Sequence, residues 1–303
     1  MKKLVLMLLA LITLSAAAQS ERYRQKYDLL VSQLGPAGVG IETLLDNWAK
    51  ADSTDVQMLV GRFSYLFNKS RSSHVIEKQE KKYLGMDPIL TLKDSTGADV
   101  YYYQDIIYDD ELYGQALKVA DKAIRFHPDL LELRFMKANA YIAYEKDSPD
   151  MASAFLLDLV RQNRSRKEAW EYEGKKVDHQ FFSDAMTEYC YTFWTIGSAD
   201  AFEAFLLLSE AMLEAYPSDY VFLNNIGSYD LMVRNDPKAA LKTYGKVLKA
   251  KPDDYTAIRN SVTAARKMGN VKTEKKFLHM LVKYGTEKEK QTAQARLDAL
   301  YEM

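Results

Sequence analysis

Catalysis or metal binding would start from histidine, cysteine and charged side chains. The chain has four histidines, His74, His127, His179 and His279, and one cysteine, Cys190. No two histidines lie within four residues of each other, and none has a cysteine or carboxylate at metal-ligand spacing on a clear helix face. Asp178 beside His179 has the composition of a base and its orienter, but adjacent residues on a helix do not face each other. His127, just before Pro128, is placed to meet a helix C-terminal dipole. No glycine-rich loop follows a strand, so the known kinds of phosphate cradle are absent. A lone cysteine excludes an intramolecular disulfide framework and a thiolate cluster. Cys190 sits in EYCYTFWTIG among Tyr189, Tyr191, Phe193 and Trp194, with no cation nearby to activate it, and reads as a small core hydrophobe. These side chains predict no enzyme, no metal and no cofactor. The competing enzymatic reading would need a site built on His74 or Asp87.

The elements that must position any site begin with composition. The 303 residues carry 41 Lys+Arg and 42 Asp+Glu, a net charge of -1, with 27% charged and 48% hydrophobic residues. That balance describes an ordinary globular protein and excludes disorder. Near-neutral charge also argues against nucleic acid, whose partners are usually clearly basic. The N-terminus has Lys2 and Lys3, an apolar run from Leu4 to Leu14, and small residues Ala16, Ala17 and Ala18. This is the order of a secretory signal peptide, predicting cleavage between Ala18 and Gln19. As a helix, Leu4 to Ala18 would reach only about 22 Å, short of the roughly 30 Å of a bilayer core. Cleavage removes two lysines and no acid, taking the charge from -1 to -3. No cysteine lies near the cleavage point for lipid attachment, and no later stretch is long and apolar enough to span a bilayer. The expectation is an exported protein, periplasmic or secreted, with no integral membrane segment after cleavage.

Thirteen glycines and seven prolines punctuate the chain sparsely, which favours long helices joined by short turns. QALKVADKAIRFHP (Gln115 to Pro128) and AALKTYGKVLKAKP (Ala239 to Pro252) match each other, each proline falling twelve residues after the alanine of Ala-Leu. AFLLLSEAMLEAYP, Ala204 to Pro217, is a third copy with one extra residue. LNNIGSYDLMVRND (Leu223 to Asp236) and FMKANAYIAYEKD (Phe135 to Asp147) read as the helices that precede such segments. Small residues Ala116, Ala123, Ala138 and Gly227 stand where helices must approach closely. These segments resemble the tetratricopeptide repeat, a 34-residue helix–turn–helix unit. The likeness is good in the second helices, through Ala116, Ala240, Tyr244, Pro128 and Pro252. It is poor in the first, where Arg134, Leu223 and Ile258 stand in place of the family's early aromatic residue.

The resemblance spans roughly Leu112 to Gly285 and implies an all-α fold, a right-handed α-α superhelix over 19–303 with a concave binding groove. A helix over Thr286 to Tyr301 closes it as a cap (286–302). ILTLKDSTGADVYYYQ, Ile89 to Gln104, alternates and turns at Asp94-Ser95-Thr96-Gly97, predicting a β-hairpin near 86–104 within an insertion over 70–108. Glu168 to Ile196 is a second irregular zone, with more aromatic rings than one repeat needs to pack. By the resemblance, ligand contacts come from first helices. The groove candidates are then Phe135, Asn139, Asn224, Ser228, Arg259, Asn260 and Arg266, with Trp194 as a surplus ring. Arg259, Asn260 and Arg266 have the chemistry to grip a carboxylate through charge-assisted hydrogen bonds. The expectation is a non-enzymatic scaffold for a protein or peptide of the cell envelope; the alternative is glycan binding or uptake through the groove aromatics.

Overall fold

The computed structural model describes the backbone of residues 2–302 and the side chains of residues 18–302, so the leader read over Met1–Ala18 lies, but for Ala18, outside the described side chains. The chain is mostly helical, with sequential helix–helix packing consistent with a solenoid and a small antiparallel sheet. It divides into two compact units, Met1–Glu145 with Lys167–Val177, and Lys146–Arg166 with Asp178–Met303.

The first unit begins with helices α1 (Lys2–Leu34), α2 (Ile41–Ala51) and α3 (Val56–Lys69). Ile41, Leu45 and Trp48 recur at helical spacing and bury one face of α2. Trp48 stacks on Tyr23 at 5.9 Å between ring centres and meets the edge of Tyr27 at 6.5 Å. Asp55 caps α3, its carboxylate accepting from the Met58 N–H at 3.0 Å. Helix α4 (Asp110–Phe126) packs on α3 through Ala116, Ala120 and Ala123, all fully buried, and α5 (Leu131–Glu145) follows.

Between α3 and α4 the chain forms strands β1 (Arg71–Lys78), β2 (Leu90–Lys93) and β3 (Asp99–Tyr108), ordered β1-β3-β2 and antiparallel throughout. The register pairs Arg71 with Tyr108 and Lys78 with Tyr101 on one side of β3, and Leu90 with Tyr102 on the other. The expected hairpin is therefore β2–β3, its turn tied by Asp94 accepting from Thr96 and Ala98 and by Gly97 at φ 87°. The addition is β1. Its residues are almost all exposed, so no inside–outside alternation marks them in the sequence. The stem of the sheet closes where the Asp109 N–H donates to the Ser70 carbonyl at 2.8 Å. Tyr103 is buried and donates to the Glu80 carbonyl, whereas Tyr101 and Tyr102 are half-buried.

The zone after Glu168 also has more order than irregularity. Strands β4 (Glu171–Tyr172) and β5 (Lys175–Lys176) form a two-residue hairpin with Glu173 and Gly174 at φ 48° and 73°. The hairpin holds Trp170, 1% exposed, beneath the Arg134 guanidinium at 4.2 Å. Arg134 is thus a buried partner of Trp170.

The second unit comprises α6 (Asp150–Ser165), α7 (His179–Ile196), α8 (Ala199–Ala215), α9 (Tyr220–Met232), α10 (Pro237–Ala250), α11 (Tyr255–Lys267), α12 (Val271–Tyr284) and α13 (Glu287–Tyr301). From α7 onward each helix packs on the next, and α8 also meets α6. Side-chain N-caps recur at Asp178, Ser198, Asp219, Asp236, Asp254 and Asn270, and Thr286 with Glu289 forms a capping box. Helices α8 and α10 stop at Ala215 and Ala250. Tyr216 and Lys251, each preceding a proline, leave the helical region at ψ 77° and 85°. Gly227 on α9 lies against the buried Tyr244 ring of α10, and a Cβ there would stand 2.6 Å from Tyr244 Cε1. Leu241 and Leu248 of α10 pack against both the Leu223–Tyr244–Ala257 cluster and the Ile258–Leu278–Leu297 cluster, joining α9–α13 through continuous apolar contacts.

Candidate functional site

Helices α7, α9, α11 and α13 of the second unit line two adjoining cavities. The first, about 420 Å³, is walled by Tyr191 and Trp194 of α7, Phe205 of α8, Asn225, Ser228 and Met232 of α9, and Arg259, Asn260 and Thr263 of α11. The second, about 480 Å³, lies between α11 and α13 and includes Tyr255, Arg266, Lys288, Glu289, Thr292 and Arg296. Arg259 and Thr263, one turn apart on α11, belong to both. The two spaces thus share a wall on one helix face.

The first cavity combines rings with a fixed polar network. Phe182, Tyr189 and Phe193 of α7 are buried and serve the core. Trp194 is half-buried, meeting Phe202 edge-on at 5.2 Å and Phe205 at a tilt at 5.0 Å, and Tyr191 is 66% exposed. Trp194 and Tyr191 are the rings that the helix core leaves over. Ser228 accepts from the Asn260 amide at 3.2 Å, lies 3.2 Å from the Tyr244 hydroxyl, and donates to the Asn224 carbonyl at 2.9 Å. Asn225 donates to Ser209 at 3.3 Å. Such second-layer bonds hold amide and hydroxyl groups in place before a ligand arrives.

Cys190 lies at the floor of this cavity, 3.5 Å from the Ser209 hydroxyl. Burial pushes its thiol up to about 12, so it remains protonated at neutral pH and unsuited to nucleophilic attack.

The second cavity is dominated by cations. Glu274, 3% exposed, accepts from Arg266 Nε and Arg296 Nε at 3.0 Å each. Burial drives the Glu274 carboxyl upward, but the two guanidinium groups outweigh it and hold the group below the usual carboxylate range. Glu289 is engaged by Thr286 and by the Tyr255 hydroxyl. Arg259 makes no ion pair or side-chain hydrogen bond among the described residues, and its guanidinium is available at the junction of the two spaces.

The structure brings together Trp194, Ser228, Arg259 and Asn260 in the first cavity, with Arg266 in the second. Asn224 turns away, buried and donating to Asp254 at 3.0 Å; its neighbour Asn225 takes the cavity position. One residue on a helix is a rotation of about 100°, so a sequence assignment off by one selects the wrong face. Phe135 and Asn139 belong to α5 of the first unit; Phe135 packs at 6.1 Å from Tyr172 and Asn139 is exposed. The grip expected of Arg259, Asn260 and Arg266 is divided, because Arg266 is committed to Glu274 and Asn260 to Ser228. Thr187, Tyr191, Phe205 and Met232 also line the first cavity, as does Thr263, which the repeat resemblance places on the ligand face of a first helix. Only the surplus of rings in α7 pointed towards Tyr191.

The histidines are dispersed. His127 donates to the Thr54 carbonyl at 2.6 Å, His74 pairs with Ser72 at 3.2 Å, His179 packs on Tyr216 and His279 meets Tyr301. Among the described residues no three His, Cys, Asp or Glu side chains gather at metal-ligand distance, and no helix is long and apolar enough to cross a membrane. No protein-family profile matches the chain, and no curated protein sequence is significantly similar to it.

Proposed function

We propose that this protein is a non-enzymatic, exported scaffold of the cell envelope, periplasmic or secreted after cleavage following Ala18, which binds a peptide segment in the paired cavities of α7–α13. In this reading the helices form a right-handed superhelix of the tetratricopeptide type. The spacing of equivalent features supports it: N-caps Asp219 and Asp254, Leu223 and Ile258, and Pro217 and Pro252 each recur after 35 residues. The small residue at the α9–α10 crossing, Gly227, which lies against Tyr244, supports the reading as well.

The observation that carries the peptide reading is the junction at Arg259. An unpaired guanidinium there adjoins an apolar wall of Tyr191, Trp194, Phe205 and Met232 and a row of amides and hydroxyls. A peptide offers the complement of all three: backbone groups for Asn225, Asn260 and Thr263, an apolar side chain for the rings, and a carboxylate for Arg259. Panning a random peptide library against the purified chain tests this. Peptides pairing an apolar with an acidic residue should be enriched. Arg259→Ala should weaken them about ten- to a hundredfold, as expected for a hydrogen-bonded charge pair. No enrichment, or affinities unchanged by Arg259→Ala, would overturn the reading. The exposed Tyr191 ring beside Trp194 favours a glycan as the second reading, since a sugar face stacks on such a surface. Binding on a glycan array that is lost with Tyr191→Ala and kept with Arg259→Ala would select it.

A further inference from the structure

The chain as a whole carries a net charge of -1, yet its charge is unevenly distributed. Between Pro237 and Tyr284 stand twelve lysines and arginines against three acids, a local +9. Lys238, Lys242, Lys246 and Lys249 follow one another at i, i+4, i+8 and i+11 on α10, all exposed, and α10 contains no acid. On α12, Lys272, Lys276 and Lys283 stand exposed at i, i+4 and i+11, and the helix's one acid, Glu274, is buried. Each row lies opposite its helix's core face, formed by Ala240, Tyr244 and Val247 on α10 and by Phe277, Leu278 and Leu281 on α12. None of the four α10 lysines forms an ion pair among the described residues. Like charges one turn apart repel each other, so these rows disfavour their own helices unless an opposing surface neutralises them.

We propose that the lysine rows of α10 and α12 form a docking face for the anionic surface of a lipid bilayer. The chemistry favours a sheet of headgroup phosphates over a structured polyanion. The exposed face of α10 holds only lysine, glycine and alanine, with no arginine fork, amide or ring to read or stack on a base. Lysine ammonium groups are mobile point charges that suit a fluid array of phosphates, and α10 presents them over about 17 Å from Lys238 to Lys249. At the α11–α12 turn, Met268 and Val271 are 42% and 43% exposed, apolar groups of the kind that enter the headgroup boundary.

The test is co-sedimentation of the full chain with vesicles of phosphatidylcholine alone and of phosphatidylcholine with phosphatidylglycerol, in low and high salt. The expected result is binding to the anionic vesicles only, falling steeply with salt. The quadruple variant Lys238→Gln, Lys242→Gln, Lys246→Gln, Lys249→Gln should partition about a hundredfold or more less strongly, while keeping its helical circular dichroism. Arg259→Ala, on neither row, should bind like the parent, which separates this face from the peptide cavities. Equal binding to neutral vesicles, no binding to anionic ones, or an unchanged quadruple variant would overturn the proposal. So would retention by duplex DNA without vesicle binding, which would assign the face to a free polyanion.

Discussion

Gly227→Val destabilises the second unit by about 3 kcal/mol, the upper part of the range for overpacking a tight core. A Cβ at position 227 would stand 2.6, 2.9 and 3.0 Å from three atoms of the Tyr244 ring. Tyr244 is fully buried, with Val247 and Ala257 in the same cluster, so the ring has no space into which to retreat. Glycine inside a helix ordinarily costs about 1 kcal/mol relative to alanine. Here the close α9–α10 approach reverses that preference. Denaturant unfolding followed by circular dichroism measures the loss, and a second variant, Tyr244→Leu, tests its cause. If the clash is the mechanism, the double variant costs less than the two single changes added together. Peptide affinity should fall as well, because α9 carries Asn225, Ser228 and Met232 on the cavity wall. A Gly227→Val protein as stable as the parent would mean that α9 and α10 do not cross here.

Trp48→Ala should cost about 3–5 kcal/mol, the usual range for emptying a large buried aromatic site. Trp48 is 1% exposed and fixes α2 against α1 through Tyr23 and Tyr27. Its indole N–H has no hydrogen-bond partner among the described residues. Leaving such a donor buried and unpaired costs about 1–3 kcal/mol. Phenylalanine at position 48 discards that donor along with part of the ring volume, so Trp48→Phe should cost less than about 1.5 kcal/mol. The contrast between the two substitutions, read from urea midpoints, is the informative quantity. Equal losses would show that the indole nitrogen has a partner.

Much of the helical order was legible because its signals are local. Prolines 128, 217 and 252 push the residue before them out of the helical region, and α4, α8 and α10 each end at that point. Asp219, Asp236 and Asp254 cap α9, α10 and α11, and Gly227 is small where two helices cross. Strand β1 was hidden because both its faces are largely exposed and carry no alternation. The β4–β5 hairpin was hidden because two-residue strands are too short to show a period, leaving only Glu173-Gly174 as a cue. At the candidate site, four of the groove candidates, Trp194, Ser228, Arg259 and Asn260, line one cavity. Asn224 and Asn225 were not separable, since adjacent amides fit the same pattern until the helix rotation is known. Arg266 was legible as a cation, but its commitment to Glu274 joins residues of two helices eight positions apart.

Site-specific photocrosslinking with the tightest library peptide gives the most direct check on where a ligand sits. A benzoylphenylalanine at position 232, where exposed Met232 edges the first cavity, should trap the peptide. The same group at position 246, on the lysine row of α10, should not. Adducts at 232 alone place the peptide between α7, α9 and α11, whereas adducts at 246 alone, or equally at both positions, would remove the cavities from the function.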